Sequence, residues 1–326
     1  MITETALQER EVDMNTDDMD IIQVEPAEIT YQPSPEELAE DFLASLDVSE
    51  STRATYTRSL RQFYQWLQDT GRQSLQLQRE DILEYKLMLK EELAAYTVNL
   101  YLTAVRKLYQ WLESKRIYPD ITRGISGVQK PEGFRKDILA AEQLREALEA
   151  MDTDRLTGMR DYALFNLMAR TGLRDIEVSR ALIEDIRQES GQAVLYIQGK
   201  GRTAKDRYVV LMPEAEKPIR EYLMARGAKD KTEPLFCSHS DRNRGDSLTT
   251  RSISRIVKRA FRRIGLDDER ITAHSLRHTA ISLSIQGGAS LEQAQAMARH
   301  KKPETTMVYF HNLQRIEQAA ERHISF

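Results

Sequence analysis

From Ser34 onward the apolar residues return every three or four positions, and only two short stretches alternate instead. That period lines one face of a helix, so the chain must build most of its core from packed helices. Glu36–Leu46 reads as a short helix and Ser51–Leu67 as a longer one, with Tyr56, Leu60, Phe63 and Leu67 on its stripe. Arg79–Glu92 and Thr97–Leu112 follow, the last with Leu100, Ala104, Leu108 and Leu112 on one side. Four helices joined by short loops predict a small bundle. Both long helices end in Tyr-Gln-Trp-Leu (64–67 and 109–112), which reads as similar packing, with a ligand site as the alternative.

Pro119–Lys136 has no such period and holds Gly124, Gly127, Pro131 and Gly133 among basic residues, a linker composition. Beyond it, Ala141–Met151, Arg160–Arg170, Pro213–Ala225, Thr250–Ile264, His274–Gln286, Leu291–Arg299 and Leu313–Arg322 read as helices. Gly172 is a glycine stop for the second of them. Ala193–Gln198 and Arg207–Leu211 are the alternating stretches, a hairpin around the polar loop 199–206. The expected fold is mainly α with a small antiparallel sheet. It divides into an acidic tail (1–33), a helical domain (34–117), a linker (118–136) and a second domain (137–326).

Charge is informative once divided. The 326 residues carry a net −4, but residues 1–33 hold nine acidic side chains and one Arg. The tail therefore accounts for −8 and leaves +4 on the remainder. With few aromatics and little periodicity the tail is expected to be disordered and solvated. The alternative is that it competes with an anionic partner for basic surface. Its sign argues against a basic binding arm there. No run is long and apolar enough for a signal peptide or membrane span. The single Cys237 leaves no internal disulfide or cysteine-based zinc site. A cytoplasmic protein without membrane contact is expected.

Several residues carry chemistry. His274 and Arg277 lie three apart near a helix start, on one face, with Thr272 as a candidate N-cap that leaves free N–H groups for an anion. His278, four after His274, invites a metal reading. Ser275 stands where a His-Glu-x-x-His site would have its Glu, and no third ligand is in place, so no metal is expected. Arg174 follows Gly172-Leu173, with Glu177 one turn on to orient it or a neighbour. Lys200 sits between two glycines, on a loop that suits a late-entering proton donor. His300 precedes Tyr309 by nine positions. Each motif alone also has an ordinary reading as a cap, a surface pair or a solvated charge.

In combination, Thr171–Glu177 (TGLRDIE), Gln198–Arg207 (QGKGRTAKDR), His274–Thr279 (HSLRHT) and His300–Tyr309 (HKKPETTMVY) resemble the tyrosine recombinase (phage integrase) family, and specifically its two-domain Xer-like members. The resemblance spans the chain from about residue 36. It implies a helical core-binding domain of the SAM-like type and a catalytic domain, forming a C-shaped clamp on duplex DNA. Arg174 and Arg277 would hold the scissile phosphate, and Tyr309 would attack it to leave a 3′-phosphotyrosine. His274 would serve as general base, Lys200 would protonate the departing 5′ oxygen, and His300 would bond the phosphate from the remaining side. Neither ATP, another cofactor nor a metal is implied.

Three departures from the family pattern stand out. Arg299 occupies the usual Gly position, where it would alter the turn or add a phosphate contact together with Lys301 and Lys302. Ser179 and Ala181 stand where leucines are common, and the acidic tail has no counterpart. Arg251, Arg255 and Lys258 on one helix, and Arg53, Arg58, Arg106 and Lys107 in the first domain, are candidate DNA contacts. Leu313, Ile316, Ala320 and Ile324 form a stripe that either packs at home or docks on a neighbouring protomer. The docking reading gives a homotetramer on two recombination sites, a dimer per site. A Holliday-junction recombinase of integration, excision or replicon resolution is expected at a prokaryotic nucleoid, with an accessory directionality protein invisible here. The alternatives are a silent DNA-binding regulator of the same fold and a type IB topoisomerase-like relaxing enzyme.

Overall fold

The computed structural model describes residues 34–130, 138–199, 201–317 and 319–324, with backbone alone at 314–317. The acidic tail, Lys200 and part of the linker therefore lie outside the described residues. Two compact units divide between Gln129 and Lys130.

The first unit holds α1 (Pro35–Ser45), α2 (Glu50–Asp69), α3 (Arg79–Glu92) and α4 (Ala95–Ser114). Ser34 starts α1 because its hydroxyl accepts the Glu37 N–H at 3.2 Å while Glu37 accepts the Ser34 N–H at 2.7 Å. This reciprocal pairing satisfies two otherwise orphaned donors. Phe63, Trp66, Tyr85 and Tyr109 meet at the centre, with the Phe63 and Tyr85 rings edge-on at 5.0 Å. On α4 the buried stripe runs through Val98, Leu102, Val105, Leu108 and Leu112, while Leu100 is 39% exposed, contrary to the expected face. The two Tyr-Gln-Trp-Leu endings share one core but not one role. Tyr64 donates to Pro35 O at 3.1 Å and Tyr109, fully buried, to Ser74 O at 2.7 Å. Tyr64 ties α2 to the start of α1 and Tyr109 ties α4 to the loop before α3, which is packing.

In the second unit α6 (Leu156–Thr171) is buried nearly all round, polar Arg160, Asp161 and Asn166 included, as befits a central helix. Against it pack α5 (Ala141–Glu149), α8 (Pro213–Arg226), α9 (Thr250–Arg263) and α10 (Ala273–Gln286). The short α7 (Asp175–Ser179) follows α6; α11 (Leu291–Ala298) and α12 (Pro303–Glu317) pack on α10. The sheet has three antiparallel strands in the order β1 (Ile186–Glu189), β2 (Gln192–Ile197), β3 (Arg207–Val210). β2 and β3 form the expected hairpin, with Ile197 opposite Arg207. β1 is an additional strand, joined to β2 through Ser190 and Gly191, both at positive φ. Its polar, exposed residues carry no alternation, so hydrophobic pattern did not find it. Cys237 is buried and paired with Ser247 in an isolated bridge, a packing residue.

The C-terminal region departs from expectation. A helix was expected over Leu313–Arg322; instead α12 begins at Pro303, carries Tyr309 in its middle and ends at Glu317, and Ala320–His323 is a separate 3-10 turn. The stripe from Leu313 to Ile324 is therefore not one helical face, and Ile324 is 62% exposed. No described helix is long and apolar enough to cross a membrane.

Candidate active site

Two turns and two helices of the second unit converge. The first turn ends α6. Gly172 is left-handed at φ 59° and donates to Met168 O at 3.0 Å, the helix stop a residue without Cβ provides most readily. Arg174 then caps α7, and its backbone N–H and its Nη1 each donate to Glu177 at 2.8 Å. Glu177 is 1% exposed and also accepts from Arg299 Nη2 at 2.9 Å. Burial pushes its carboxyl up, but the charges of Arg299 and Arg174, with the Arg174 N–H, hold it below the usual carboxylate range.

On α10, His274, Arg277 and His278 share one face, as their three- and four-residue spacing requires. Thr272 takes the N-cap position, its N–H donating to Ser275 Oγ at 3.0 Å, but its hydroxyl makes no cap bond. Arg277 is 2% exposed. Its Nη1 donates to Gly172 O at 2.6 Å and its Nη2 to Ala298 O, so one guanidinium ties the turn bearing Arg174 to the turn bearing His300. Burial, reinforced by Arg174 and Arg299, lowers it to about 9, still cationic at neutral pH.

The second turn follows α11. Arg299 stands in the left-handed region at φ 55° and is 7% exposed. His300 Nδ1 lies 2.9 Å from Thr306 Oγ1, one turn before Tyr309 on α12. Burial and then Arg277, Arg174 and Arg299 lower the His300 imidazole to about 4, so its ring is neutral at pH 7. Tyr309 is 3% exposed and its hydroxyl lies 2.6 Å from His278 Nδ1. The Tyr309 ring stacks on His278 at 5.5 Å and on His300 at 6.2 Å. Burial pushes the phenol up to about 12 against the pull of Arg277 and Arg174.

The structure thus brings together Arg174, Arg277, His300 and Tyr309. His274 joins them through an edge-on contact with His278 at 4.5 Å and through its charge on His300. Lys200 is outside the described residues. Beside the cluster lies a cavity of about 510 Å³ whose lining includes Arg174, Arg202, Arg207, His300 and Lys302. Such a basic concavity suits a phosphodiester. Among the described residues no group of three His, Cys, Asp or Glu side chains is arranged to hold a metal ion.

Sequence reasoning missed three participants. His278 had been weighed as a metal ligand, although its spacing from His274 already placed it on the site face. Thr306 gave no signal. Arg299 was expected to alter the turn or to add a phosphate contact; it takes the turn's left-handed position and is buried against Glu177, with its Nη2 also reaching Gly172 O at 3.1 Å. Among the candidate DNA contacts, Arg58, Lys107, Arg251 and Arg255 are exposed. Lys258 lies 3.9 Å from Asp267. Arg53 donates to Leu43 O and Leu46 O, and Arg106 to Ile125 O at 2.6 Å. Those two guanidiniums hold main-chain turns of their own unit.

Comparisons with known proteins bear on the family and the fold. Residues 137–315 match the family model described as phage integrase family, and residues 38–116 the one described as phage integrase, N-terminal SAM-like domain. Tyrosine recombinase XerD of Ralstonia nicotianae is 28% identical, over 89% of this chain and 94% of its own length. Tyrosine recombinase XerC of Pelobacter propionicus is 30% identical, over 81% and 86%. Among solved structures, XerH site-specific recombinase bound to a palindromic difH substrate superposes with a TM-score of 0.71 at 24% identity, covering 87% of this chain and 83% of that one. A lambda integrase dimer bound to a core site gives 0.65 at 16%, covering 83% and 92%. With its catalytic-domain model spanning over half the chain, this protein belongs to the phage integrase family and is a tyrosine recombinase.

Proposed function

We propose that this enzyme cleaves and rejoins duplex DNA at specific sites through a 3′-phosphotyrosine on Tyr309. The observation that carries the reading is the convergence of the Tyr309 phenol, packed on His278 and His300, with Arg277, whose guanidinium ties the turns bearing Arg174 and His300. Donors already fixed around a phosphate stabilise the charge that develops during in-line attack and need no reorganisation at that moment. Arg174 and Arg277 hold the non-bridging oxygens, with neutral His300 bonding the phosphate from the remaining side. Sequence reading alone assigned the base role to His274, whereas the imidazole that lies 2.6 Å from the Tyr309 hydroxyl is His278. Attack forms the phenol O–P bond and breaks the bond from phosphorus to the 5′ oxygen, which takes a proton from Lys200. A positioned acid contributes roughly 10²–10⁴-fold to such a step. The covalent link conserves the diester, so no nucleotide cofactor is consumed.

Because Arg277 and Tyr309 are buried in the free chain, α12 shifts when a phosphate enters. That couples cleavage to whatever holds the C-terminal segment, and a neighbouring protomer on the same DNA is the natural holder. A dimer on each recombination site, two sites per tetramer and sequential exchange through a Holliday junction follow from this coupling. The exposed Arg58, Lys107, Arg251 and Arg255 track DNA phosphates. Integration, excision and replicon resolution all use this same chemistry.

The test is covalent capture. Duplex selected from a random library by binding to this protein, nicked near the cleavage position, is incubated with wild type and with Tyr309→Phe, then run on a denaturing gel. A protein–DNA band for wild type alone is the expected result. No band on DNA that the protein binds with specificity would sink the proposal in favour of a DNA-binding regulator.

A further inference from the structure

We propose that His278 is the base that takes the phenolic proton of Tyr309 as the tyrosine attacks, and the acid that returns it on rejoining. This rests on the strand-transfer reading above. The hydroxyl oxygen and His278 Nδ1 are 2.6 Å apart, within the reach a proton-transfer partner needs before reaction begins. The two rings lie nearly parallel at 28°. His300, the other imidazole stacked on Tyr309, has its Nδ1 engaged with Thr306. A phenol that keeps its proton at neutral pH donates the hydrogen bond, so His278 Nδ1 accepts it and the neutral ring carries its proton on Nε2.

The surroundings make this base responsive to substrate. Its own helix contributes His274 and Arg277; α12 contributes Tyr309; the two turns contribute Arg174, Glu177, Arg299 and His300. On α6, Arg170 is held by Asn166 Oδ1 at 2.9 Å, and the buried residues of α9 and α11 are apolar. The scissile phosphate brings a negative charge that favours the imidazolium formed at His278 as it takes the proton.

The proton inventory closes. As the phenol O–P bond forms, its proton passes to His278 Nδ1, and the 5′ oxygen leaves with a proton from a separate acid. Rejoining reverses both transfers.

His278→Asn offers a side-chain oxygen to accept the Tyr309 hydrogen bond, but that amide cannot take the proton. The measurement is the single-turnover rate of covalent-complex formation on the nicked, library-selected duplex from pH 5.5 to 9.5, for wild type, His278→Asn and His274→Gln. Wild type is expected to rise with pH along an imidazole limb and then level off. His278→Asn should bind the DNA as wild type does, cleave about 10²-fold more slowly at neutral pH, and lack the limb. His274→Gln should cleave more slowly but keep it. An unchanged limb in His278→Asn, or a limb lost with His274→Gln instead, would overturn the inference. Nitrogen-15 NMR of the histidines in wild type gives a check independent of folding, because a neutral His278 protonated on Nδ1 would overturn it as well. If wild type itself forms no covalent complex, strand transfer and the inference fail together. A wild-type complex with a normal His278→Asn removes the inference alone.

Discussion

A left-handed residue with a β-carbon costs roughly 1–2 kcal/mol, yet Arg299, long and charged, occupies such a position. Its partner explains the choice, since Arg299 Nη2 meets Glu177 at 2.9 Å with both side chains almost wholly buried. Removing one member of a buried pair strands the other, at about 3–5 kcal/mol. Arg299→Met should therefore lower the unfolding midpoint markedly. The pH dependence has a definite sign. Glu177 titrates lower in the folded protein than unfolded, so its contribution is complete above the ordinary carboxylate range and is lost as pH falls through the folded value. Without Arg299 that acid-side loss should begin at higher pH. Thermal melts from pH 3 to 7 read both effects, and a variant melting with wild type throughout would show that the pair contributes no net stability. The sequence displayed a cation before His300 but not its direction. Whether it meets DNA or a buried carboxylate depends on the turn that packing against Gly172 and Glu177 imposes. His278 was legible by spacing, and what hid its role was that its partner lies thirty-one residues away on α12.

Elements repeat the pattern at a larger size. Helices α1 to α4 and α8 to α11 were visible because each buries a stripe with helical period and several carry Ser or Thr caps. β1 was not visible, because four residues exposed nearly throughout at the sheet edge bury no face and so show no alternation. α12 was misplaced because Pro303 at a helix start looks like a breaker when read from sequence, although proline fits the first turn well. Gly172 is the junction on which the site's geometry depends. A β-carbon there would meet Ala280 Cβ at 3.5 Å and Met297 Cε at 3.7 Å, ordinary contact distances. Gly172→Ala should thus cost only the left-handed strain, about 1–2 kcal/mol, in denaturant titrations at unchanged m-value. A loss well beyond that would mean the substitution moves the Arg174 turn itself, and the rate of covalent-complex formation would fall with it.

At the scale of the whole molecule, charge is distributed against expectation for a DNA enzyme. The chain is −4 overall because residues 1–33 carry −8, while the remainder is +4. Duplex DNA attracts cationic surface by releasing counterions, so its binding weakens steeply with salt. A tethered polyanion competes for the same surface and is screened over the same distance, about 10 Å at 0.1 M salt. Removing residues 2–33 should therefore strengthen binding to a random-sequence duplex at low salt and make the salt dependence steeper. The difference should shrink as the Debye length falls to about 3 Å near 1 M salt. Fluorescence anisotropy across a salt series on the full-length and shortened chains reads both quantities. If the two curves superimpose at low salt, the tail does not compete for the DNA surface and acts as a solubilising segment. If they diverge only at low salt, the acidic segment is an electrostatic filter, one that a specific site with added base contacts overcomes and non-specific DNA does not.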